Sequence, residues 1–162
     1  GMAKSENKKG GKAPFDLTES PSHLLHRVLQ RAACIYAEEM GADLLTQRQY
    51  ALLAAVASTD QPSQTDLVNL TGIDRSTLAD LAARLIDKGM LERSRSDRDG
   101  RAKTIRLTPT GQAALEAARP RVRAADKRIL ALLSKPKREA FVKLLNKVAD
   151  APASRAKPRK NV

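Results

Sequence analysis

The sequence contains few side chains whose types and spacing suit catalysis or a metal site. His23 and His26 are three residues apart on a predicted helix, a spacing that can bind a metal ion, but two ligands alone do not make a site. Cys34 has no adjacent histidine, so a buried, inert thiol is the default interpretation and a redox sensor is the alternative. The sequence has neither a phosphate-binding loop nor a dinucleotide fingerprint. It therefore predicts a protein that is not an enzyme and has no metal and no cofactor.

The charges point to a different chemistry, the binding of a polyanion. The 162-residue chain has 30 lysines and arginines against 18 acidic residues, a net charge of +12, which favours nucleic acid or an acidic membrane surface as the partner. No apolar run approaches the ~20 residues of a membrane span, and the polar, basic N-terminus does not look like a signal peptide. Together with the single cysteine, these features predict a cytoplasmic protein without a membrane partner.

Two short helices are predicted in the stretch that would position such binding groups. Ser63 suits the N-cap of a helix that Gly72 ends, and Asp74 suits the N-cap of a second helix that Gly89 ends. Two helices joined by a glycine-containing turn are typical of a helix-turn-helix, whose second helix enters the major groove of DNA. The second helix keeps an apolar face at helical spacing, formed by Leu78, Leu81, Ala82, Leu85 and Ile86.

A β-hairpin is predicted directly after these helices. Leu91–Ser96 and Lys103–Leu107 read as strands, and Asp97–Arg101 reads as the turn between them. An arginine on a narrow hairpin can enter a minor groove, where the negative potential is strongest. The hairpin makes the predicted unit a winged helix-turn-helix, and its basic side chains are Arg93, Arg95, Arg98, Arg101, Lys103 and Arg106.

The same stretch resembles the MarR family, the multiple-antibiotic-resistance type regulators. The resemblance spans about Leu17 to Ala149 through the order of elements, and its specific motifs lie between Thr65 and Gly111. Four motifs carry it: Asp74-Arg75-Ser76-Thr77, Leu85 to Gly89, Asp97-Arg98-Asp99-Gly100-Arg101, and Leu107-Thr108 with Gly111.

The resemblance implies a mainly α fold with a small β-hairpin wing. Residues 14–151 are expected to form a single domain, in which a winged helix-turn-helix at about 45–110 is flanked by N- and C-terminal dimerisation helices at about 20–41 and 109–150. The basic tails 1–13 and 152–162 lack any periodicity and are predicted to be disordered.

The outer helices are predicted from their caps and apolar faces. Ser20 and Pro21 begin the first helix, and Thr46 with Gln49 forms a capping box for the second. A long helix follows Thr108-Pro109, with a kink expected at Pro120. These helices have more apolar surface than the winged unit can cover, which favours a two-fold homodimer over a self-contained helical core. The surplus lies at Leu24, Leu25, Ile129, Leu130, Leu132, Leu133, Phe141, Leu144 and Leu145.

The candidate DNA contacts follow from this architecture and from the resemblance. Arg75, Ser76, Thr77 and Asp80 are expected to read bases or position the second helix, with Arg84 further along it, while Gln64 and Thr65 hold phosphate. Arg101, with Arg98, would enter the minor groove, and Lys103 belongs to the same basic run. Asp99 resembles the family acid that orients the wing arginine through an internal ion pair. Two simpler interpretations stay open: Arg75 touches only phosphate, and Asp80 pairs with Arg84.

The resemblance also implies a small-molecule pocket between the dimer helices and the winged unit, often for phenolic or aromatic carboxylates. A carboxylate needs cations or hydrogen-bond donors, and the ring needs an apolar slot. The chain offers donors on its first two helices, at His23, His26, Arg27, Gln30, Arg48 and Gln49. Solvation of these side chains at the surface is the alternative.

The sequence thus predicts a dimeric, sequence-specific transcription regulator, most simply a repressor that binds a palindromic operator on double-stranded DNA. An aromatic carboxylate effector is expected to release the repressor from this operator. Two alternatives remain open. A non-specific architectural DNA-binding protein would explain the basic tails, and a redox-sensing regulator would act through Cys34.

Overall fold

The computed structural model describes residues 14–42 and 44–152. The predicted disordered tails lie outside the described residues, apart from Pro152. A short 3-10 turn at Leu17–Glu19, which the sequence did not predict, precedes six helices and one hairpin within the described residues. In chain order they are α1 (Pro21–Met40), α2 (Gln47–Ser58), α3 (Gln64–Thr71), α4 (Arg75–Asp87), β1 (Leu91–Arg95), β2 (Lys103–Leu107), α5 (Pro109–Leu130) and α6 (Lys135–Ala149). The predicted fold class, mainly α with a small hairpin wing, is confirmed.

Local capping fixes most of these helix boundaries. The Ser20 hydroxyl accepts a hydrogen bond from the His23 amide at the start of α1. The capping box of α2 is complete, because the Gln49 amide donates to Thr46 Oγ1 at 3.2 Å and the Thr46 amide donates to Gln49 Oε1 at 3.0 Å. Gly72 ends α3 with a φ of 69°, a conformation that favours glycine. The predicted starts and ends of these helices are therefore confirmed.

The α5 helix runs without interruption through Pro120, although the proline ring removes one backbone donor. Pro120 therefore does not end the helix, and the kink expected there stays a prediction. The helix ends at Leu130, and α6 begins at Lys135 with a proline in its first turn. A break is expected from the sequence at Ser134 to Pro136, but the gap lies at 131–134 because Pro136 is accommodated in the first turn of α6.

A leucine core holds the helix-turn-helix and the hairpin together. Six of its side chains come from α2, α3, α4 and β1 and are at most 1% exposed: Leu52, Leu53, Leu67, Leu78, Leu85 and Leu91. Burial of a leucine side chain contributes roughly 1.5–3 kcal/mol to folding. Because all four elements share this core, the orientation of α4 relative to the hairpin is fixed by packing.

The outer helices pack differently from the winged unit. Ala118 and Ala125 are fully buried in α5, and Arg128 connects α5 to α1 through bonds of 2.6 Å to Glu38 and 3.1 Å to Glu39. The α6 helix has no buried residue. Apolar side chains remain exposed on α1 and on the α5–α6 end, at Leu24, Leu25, Val28, Leu29, Leu132, Val142, Leu144, Leu145 and Val148.

Cys34 corrects one prediction. The thiol is exposed rather than buried, because the next residue, Ile35, takes the buried position on α1 and is only 3% exposed. Adjacent residues on a helix point about 100° apart, so the two cannot share that face. Within the described residues, none of the helices combines the length and hydropathy that crossing a bilayer needs.

Candidate nucleic-acid interface

The first turn of α4 is organised around the carboxylate of Asp74. Its Oδ1 accepts the Thr77 amide at 2.9 Å and the Ser76 hydroxyl at 3.0 Å, and its Oδ2 accepts the Thr77 hydroxyl at 2.7 Å. The bond from the Thr77 amide is the largest cause that lowers the pKa of Asp74 to about 2. The hydroxyl protons of Ser76 and Thr77 are therefore already used, and their oxygens are left as acceptors.

The start of α3 lies beside the start of α4. The guanidinium of Arg75 donates to Thr65 Oγ1 at 3.0 Å, so two residues predicted to contact DNA are in direct contact with each other. Ser63 and Asp66 form a reciprocal capping box at bonds of 2.8 and 3.1 Å. Hydrogen bonds from Ser63 lower the pKa of Asp66, which keeps the cap ionised. Gln64, the first residue of α3, is half-buried.

Asp80 and Arg84 lie further along α4, and both are exposed. Helical spacing allows an ion pair between them. Within the part of the chain that the structure describes, neither side chain makes an ion pair or a side-chain hydrogen bond. Both charges are thus free for other partners, and the simpler interpretation that Asp80 only pairs with Arg84 loses its support.

The hairpin is held to the helix-turn-helix by backbone and side-chain contacts. Leu91 pairs with Leu107 at its base and Arg95 pairs with Lys103 near its tip, so β1 is one residue shorter than predicted. The amide of Ile105 donates to the Pro62 carbonyl at 3.0 Å, which adds the α2–α3 loop to the edge of β2. The middle of the hairpin is therefore tied to the loop that leads into the helix-turn-helix.

The tip of the hairpin is a tight turn built on Ser96 and Asp99. The Ser96 amide donates to the Ala102 carbonyl at 2.9 Å, and the Asp99 carboxylate accepts the backbone amide of Arg101 at 3.0 Å. Side chains of this type commonly bond to the backbone two residues later in turns. Asp99 thus orients the tip through the backbone, in place of the ion pair that the resemblance implied. The side chain of Arg101 is exposed and makes no hydrogen bond or ion pair within the described residues.

Arg98 is in a different situation from Arg101. Its guanidinium donates to Asp60 of the α2–α3 loop at 3.1 Å, in a pair whose side chains are 82% and 72% exposed. Lys103 is exposed at the start of β2. The structure places five predicted contact residues at the N-terminal ends of α3 and α4: Gln64, Thr65, Arg75, Ser76 and Thr77. The two wing arginines differ, because Arg98 is in an ion pair and Arg101 is in none within the described residues.

A groove of about 660 Å³ lies between α1 and the start of α2. Its walls are mainly apolar, with Leu29, Tyr36, Met40 and Leu45 among them, and Arg48 lies at its edge. The Tyr36 hydroxyl donates to the Leu45 carbonyl at 3.3 Å. Burial is the largest cause that raises the pKa of Tyr36 to about 12, with smaller contributions from Tyr50 and Asp126.

The predicted effector residues are only partly assembled at this groove. Arg48 lines it, whereas the Gln49 side chain is used in the capping box of α2. The α1 residues His23, His26, Arg27 and Gln30 are not part of its wall. His26 lies one turn before Leu29 on α1, and Gln30 lies one turn before Ala33, so these two are neighbours of groove-lining residues along the helix. The sequence did not single out the hydroxyl of Tyr36, because the residue reads as part of an apolar helix face.

Fold and interface together define a winged helix-turn-helix DNA-binding protein. A model of the MarR family matches residues 45–102. The HTH-type transcriptional repressor NicR of Pseudomonas putida is 30% identical over 138 residues, which is 85% of this chain and 87% of the relative. The chain belongs to the MarR family of transcription regulators.

Two solved structures are similar over most of the chain. BpsR of Bordetella bronchiseptica, whose DNA binding is regulated by 6-hydroxynicotinic acid, has a TM-score of 0.80 at 31% identity and covers 86% of this chain and 100% of that one. The PcaV transcriptional regulator of Streptomyces coelicolor, in complex with its natural ligand, has a TM-score of 0.77 at 32% identity, with coverage of 86% and 98%.

Proposed function

We propose that this protein is a homodimeric repressor that binds a palindromic operator through α4 and the hairpin wing and leaves it when a small aromatic carboxylate binds. The observation that carries the proposal is the polar first turn of α4. Arg75, Ser76 and Thr77 are gathered there at the exposed end of a helix whose opposite face is buried. The DNA-binding unit would be residues 45–110, within a domain spanning 14–151.

The chemistry of α4 favours particular base edges. Because Ser76 and Thr77 donate to Asp74, their oxygens can accept hydrogen bonds from the amino groups of cytosine or adenine in the major groove. The carboxylate of Asp80 can accept from cytosine in the same way. Arg75 and Arg84 supply the donors for guanine or phosphate, and Gln64 with Thr65 supplies donors for phosphate at the start of α3.

The wing would complete the contact in the adjacent minor groove. Arg101 is the candidate that inserts there, since its guanidinium has no partner in the described part of the chain and would lose none on binding. Lys103 would contact phosphate beside it. Arg98 would have to leave Asp60 first, which makes it the weaker contributor of the two arginines.

A second copy of the chain is the partner that best fits the exposed outer helices. Leu144 and Leu145 of α6 are 61% and 45% exposed, and Leu25 of α1 is 55% exposed. A two-fold dimer that covers these side chains would also set two α4 helices about 34 Å apart, on successive major grooves. The dimerisation segments would be 20–41 and 109–150.

The groove beside Arg48 is the proposed effector site. Its apolar walls suit an aromatic ring, and Arg48 suits a carboxylate. The Tyr36 hydroxyl donates its proton to the Leu45 carbonyl, so its oxygen can accept a hydrogen bond from a ligand hydroxyl. The relative BpsR responds to 6-hydroxynicotinic acid, an aromatic acid. His23, His26, Arg27 and Gln30 are proposed as further donors from α1, and Gln49 from α2. An effector can release DNA only if it binds more tightly to the conformation whose α4 spacing does not fit the operator.

Selection of bound genomic fragments tests the DNA-binding part of the proposal. We expect an imperfect palindrome with half-site centres about 10–11 base pairs apart. Recovery of a single asymmetric half-site by a monomeric protein would contradict the dimer. Binding to all sequences alike, with a steep dependence on salt, would identify an architectural DNA-coating protein instead.

A screen of aromatic acids tests the effector part. Thermal shift and operator release are measured for wild type, Arg48→Ala and His26→Ala, with Arg31→Ala on the exposed surface of α1 as the charge-matched control. We expect Arg48→Ala to weaken the response more than the control does. If no aromatic acid shifts the melting temperature or releases DNA, or if Arg48→Ala and His26→Ala both respond like wild type and the Arg31→Ala control, the effector assignment is wrong.

The exposure of Cys34 keeps the redox alternative in consideration. A thiol must be accessible to react with an oxidant. Peroxide-dependent loss of operator binding that Cys34→Ser abolishes would favour this alternative over the aromatic effector.

A further inference from the structure

Gln61 has an unusual backbone conformation in the loop between α2 and α3. Its φ is 45°, and among the residues that the structure describes it is the one residue other than glycine with a positive φ. This region is unfavourable for a side chain with a Cβ atom, and such strain persists where surrounding contacts enforce it. The contacts of Gln61 therefore require an explanation.

The side-chain amide group of Gln61 makes two hydrogen bonds to a single residue of the wing, Asp97. Its Nε2 donates to Asp97 Oδ2 at 3.0 Å, and its Oε1 accepts the backbone amide of Asp97 at 2.8 Å. One side chain thus fixes both the carboxylate and the backbone at the start of the wing tip, across 36 positions in sequence. A glycine, which tolerates the backbone conformation, has no side chain that could do this.

Packing contributes little to holding the tip in this place. The tip residues 97–101 are all exposed, and a cavity of about 410 Å³ has Gln61, Arg95 and Asp97 among its lining residues. The nearby pair of Arg98 and Asp60 is largely exposed, and exposed ion pairs add little stability. The Ile105–Pro62 bond lies in the middle of the hairpin. At the tip itself, the two hydrogen bonds of Gln61 are the less exposed link to the loop.

We propose that Gln61 is a positioning residue that sets the angle of the wing through Asp97 and thereby presents Arg101 to the DNA. The inference rests on the proposed DNA-binding function and adds to it a residue that does not itself touch DNA. Holding the wing in one pose before binding avoids the entropic cost of ordering it on the operator. Loss of the link therefore weakens operator binding through the wing contact, without unfolding the protein.

The experiment exchanges donor and acceptor in the pair. Gln61→Glu keeps the bond to the Asp97 amide but sets two carboxylates against each other. Adding Asp97→Asn to it restores the second bond with reversed polarity and leaves the net charge as in wild type. Asp97→Asn alone keeps an acceptor for Gln61 and serves as the control. Operator affinity is measured by fluorescence anisotropy on the full-length protein, together with the melting temperature.

We expect Gln61→Glu to weaken operator binding by about tenfold, the size of one lost arginine contact, and the double variant to recover most of this loss. Gln61→Gly relaxes the backbone and removes the amide, so it should keep the melting temperature while weakening binding. In an Arg101→Ala background, Gln61→Gly should change the affinity little, because the contact that it positions is already gone.

Three results would overturn the inference. These are wild-type affinity in Gln61→Glu, no recovery in the double variant, or a loss of affinity in Gln61→Gly that only parallels a loss of melting temperature. The proposed function fails separately, if wild type shows no sequence preference. The same variants measured on a random duplex then still report the contribution of the wing, so the two failures are distinguishable.

Discussion

Replacing each of the two wing arginines by alanine should weaken operator binding to a different extent, because the two side chains have different contacts in the structure. The Arg101 side chain makes no hydrogen bond or ion pair within the described residues, whereas Arg98 donates to Asp60 at 3.1 Å. Binding to DNA costs Arg101 no existing partner. Arg98 must first break an ion pair, and exposed pairs of this kind contribute roughly 0–1 kcal/mol. We therefore expect Arg101→Ala to have the larger effect.

The magnitude follows from one arginine contact in each wing. Loss of an arginine that contacts the groove costs about 1–3 kcal/mol, and each 1.4 kcal/mol is about a factor of ten in affinity. Arg101→Ala should therefore weaken binding by about fivefold to about 150-fold per wing. The loss of binding free energy in Arg98→Ala should be smaller than in Arg101→Ala by up to ~1 kcal/mol, the contribution of the ion pair that Arg98 would have to break. The slope of log affinity against log salt should fall by about 0.9 for each lost phosphate-like contact.

Fluorescence anisotropy of labelled operator, measured between about 50 and 200 mM salt, gives both quantities. Circular dichroism and melting temperature serve as controls, since both side chains are exposed and their loss should leave the fold intact. Unchanged affinity in a folded Arg101→Ala protein, or a larger effect from Arg98→Ala, would refute the reasoning about the wing.

Three further predictions concern stability and assembly. Gly111→Ala places a Cβ atom 1.9 Å from the Met90 carbonyl oxygen and should destabilise the fold by about 1–3 kcal/mol or more in urea melts, whereas Gly100→Ala meets no atom within 4 Å and should be nearly neutral. Folding lowers the pKa of Asp74 from 3.8 to about 2, so the ionised carboxylate should stabilise the fold fully above about pH 4 and lose this effect as the pH falls towards 2. In melts recorded over a pH series, Asp74→Asn should lack this fall in melting temperature between about pH 4 and 2. Leu145→Glu should convert a dimer into a monomer in light scattering, and a dimer that persists would contradict the proposed interface.

Local signals in the sequence predicted the helices and the hairpin well. N-caps, capping boxes and glycines with positive φ act within three or four residues, so the Thr46–Gln49 capping box, the Ser63 N-cap and Gly72 could be read directly. The two strands were predicted from their position on either side of the turn-rich segment Asp97–Arg101. The winged helix-turn-helix followed because these local signals occurred in the right order.

Contacts between distant loops could not be predicted in this way. Gln61 and Asp97 are 36 positions apart, and neither residue type indicates in the sequence which residue it will bond to. The carboxylate of Asp99 could serve either a guanidinium or a backbone amide, and only the turn geometry selected the amide. The groove at Arg48 depends on the path of the chain between α1 and α2, which no periodic pattern describes. The sequence therefore identified the groups of the candidate site better than their partners.

The central claim, that two α4 helices of one dimer read successive major grooves, is tested most directly by changing the spacing of the operator. A duplex carrying the selected palindrome is compared with one in which about 5 base pairs, half a helical turn, are inserted between the half-sites. The inserted half-turn places the half-sites on opposite faces of the DNA. We predict two protein chains on each intact operator and a fall to non-specific affinity on the altered one. Equal affinity for both duplexes would contradict the account.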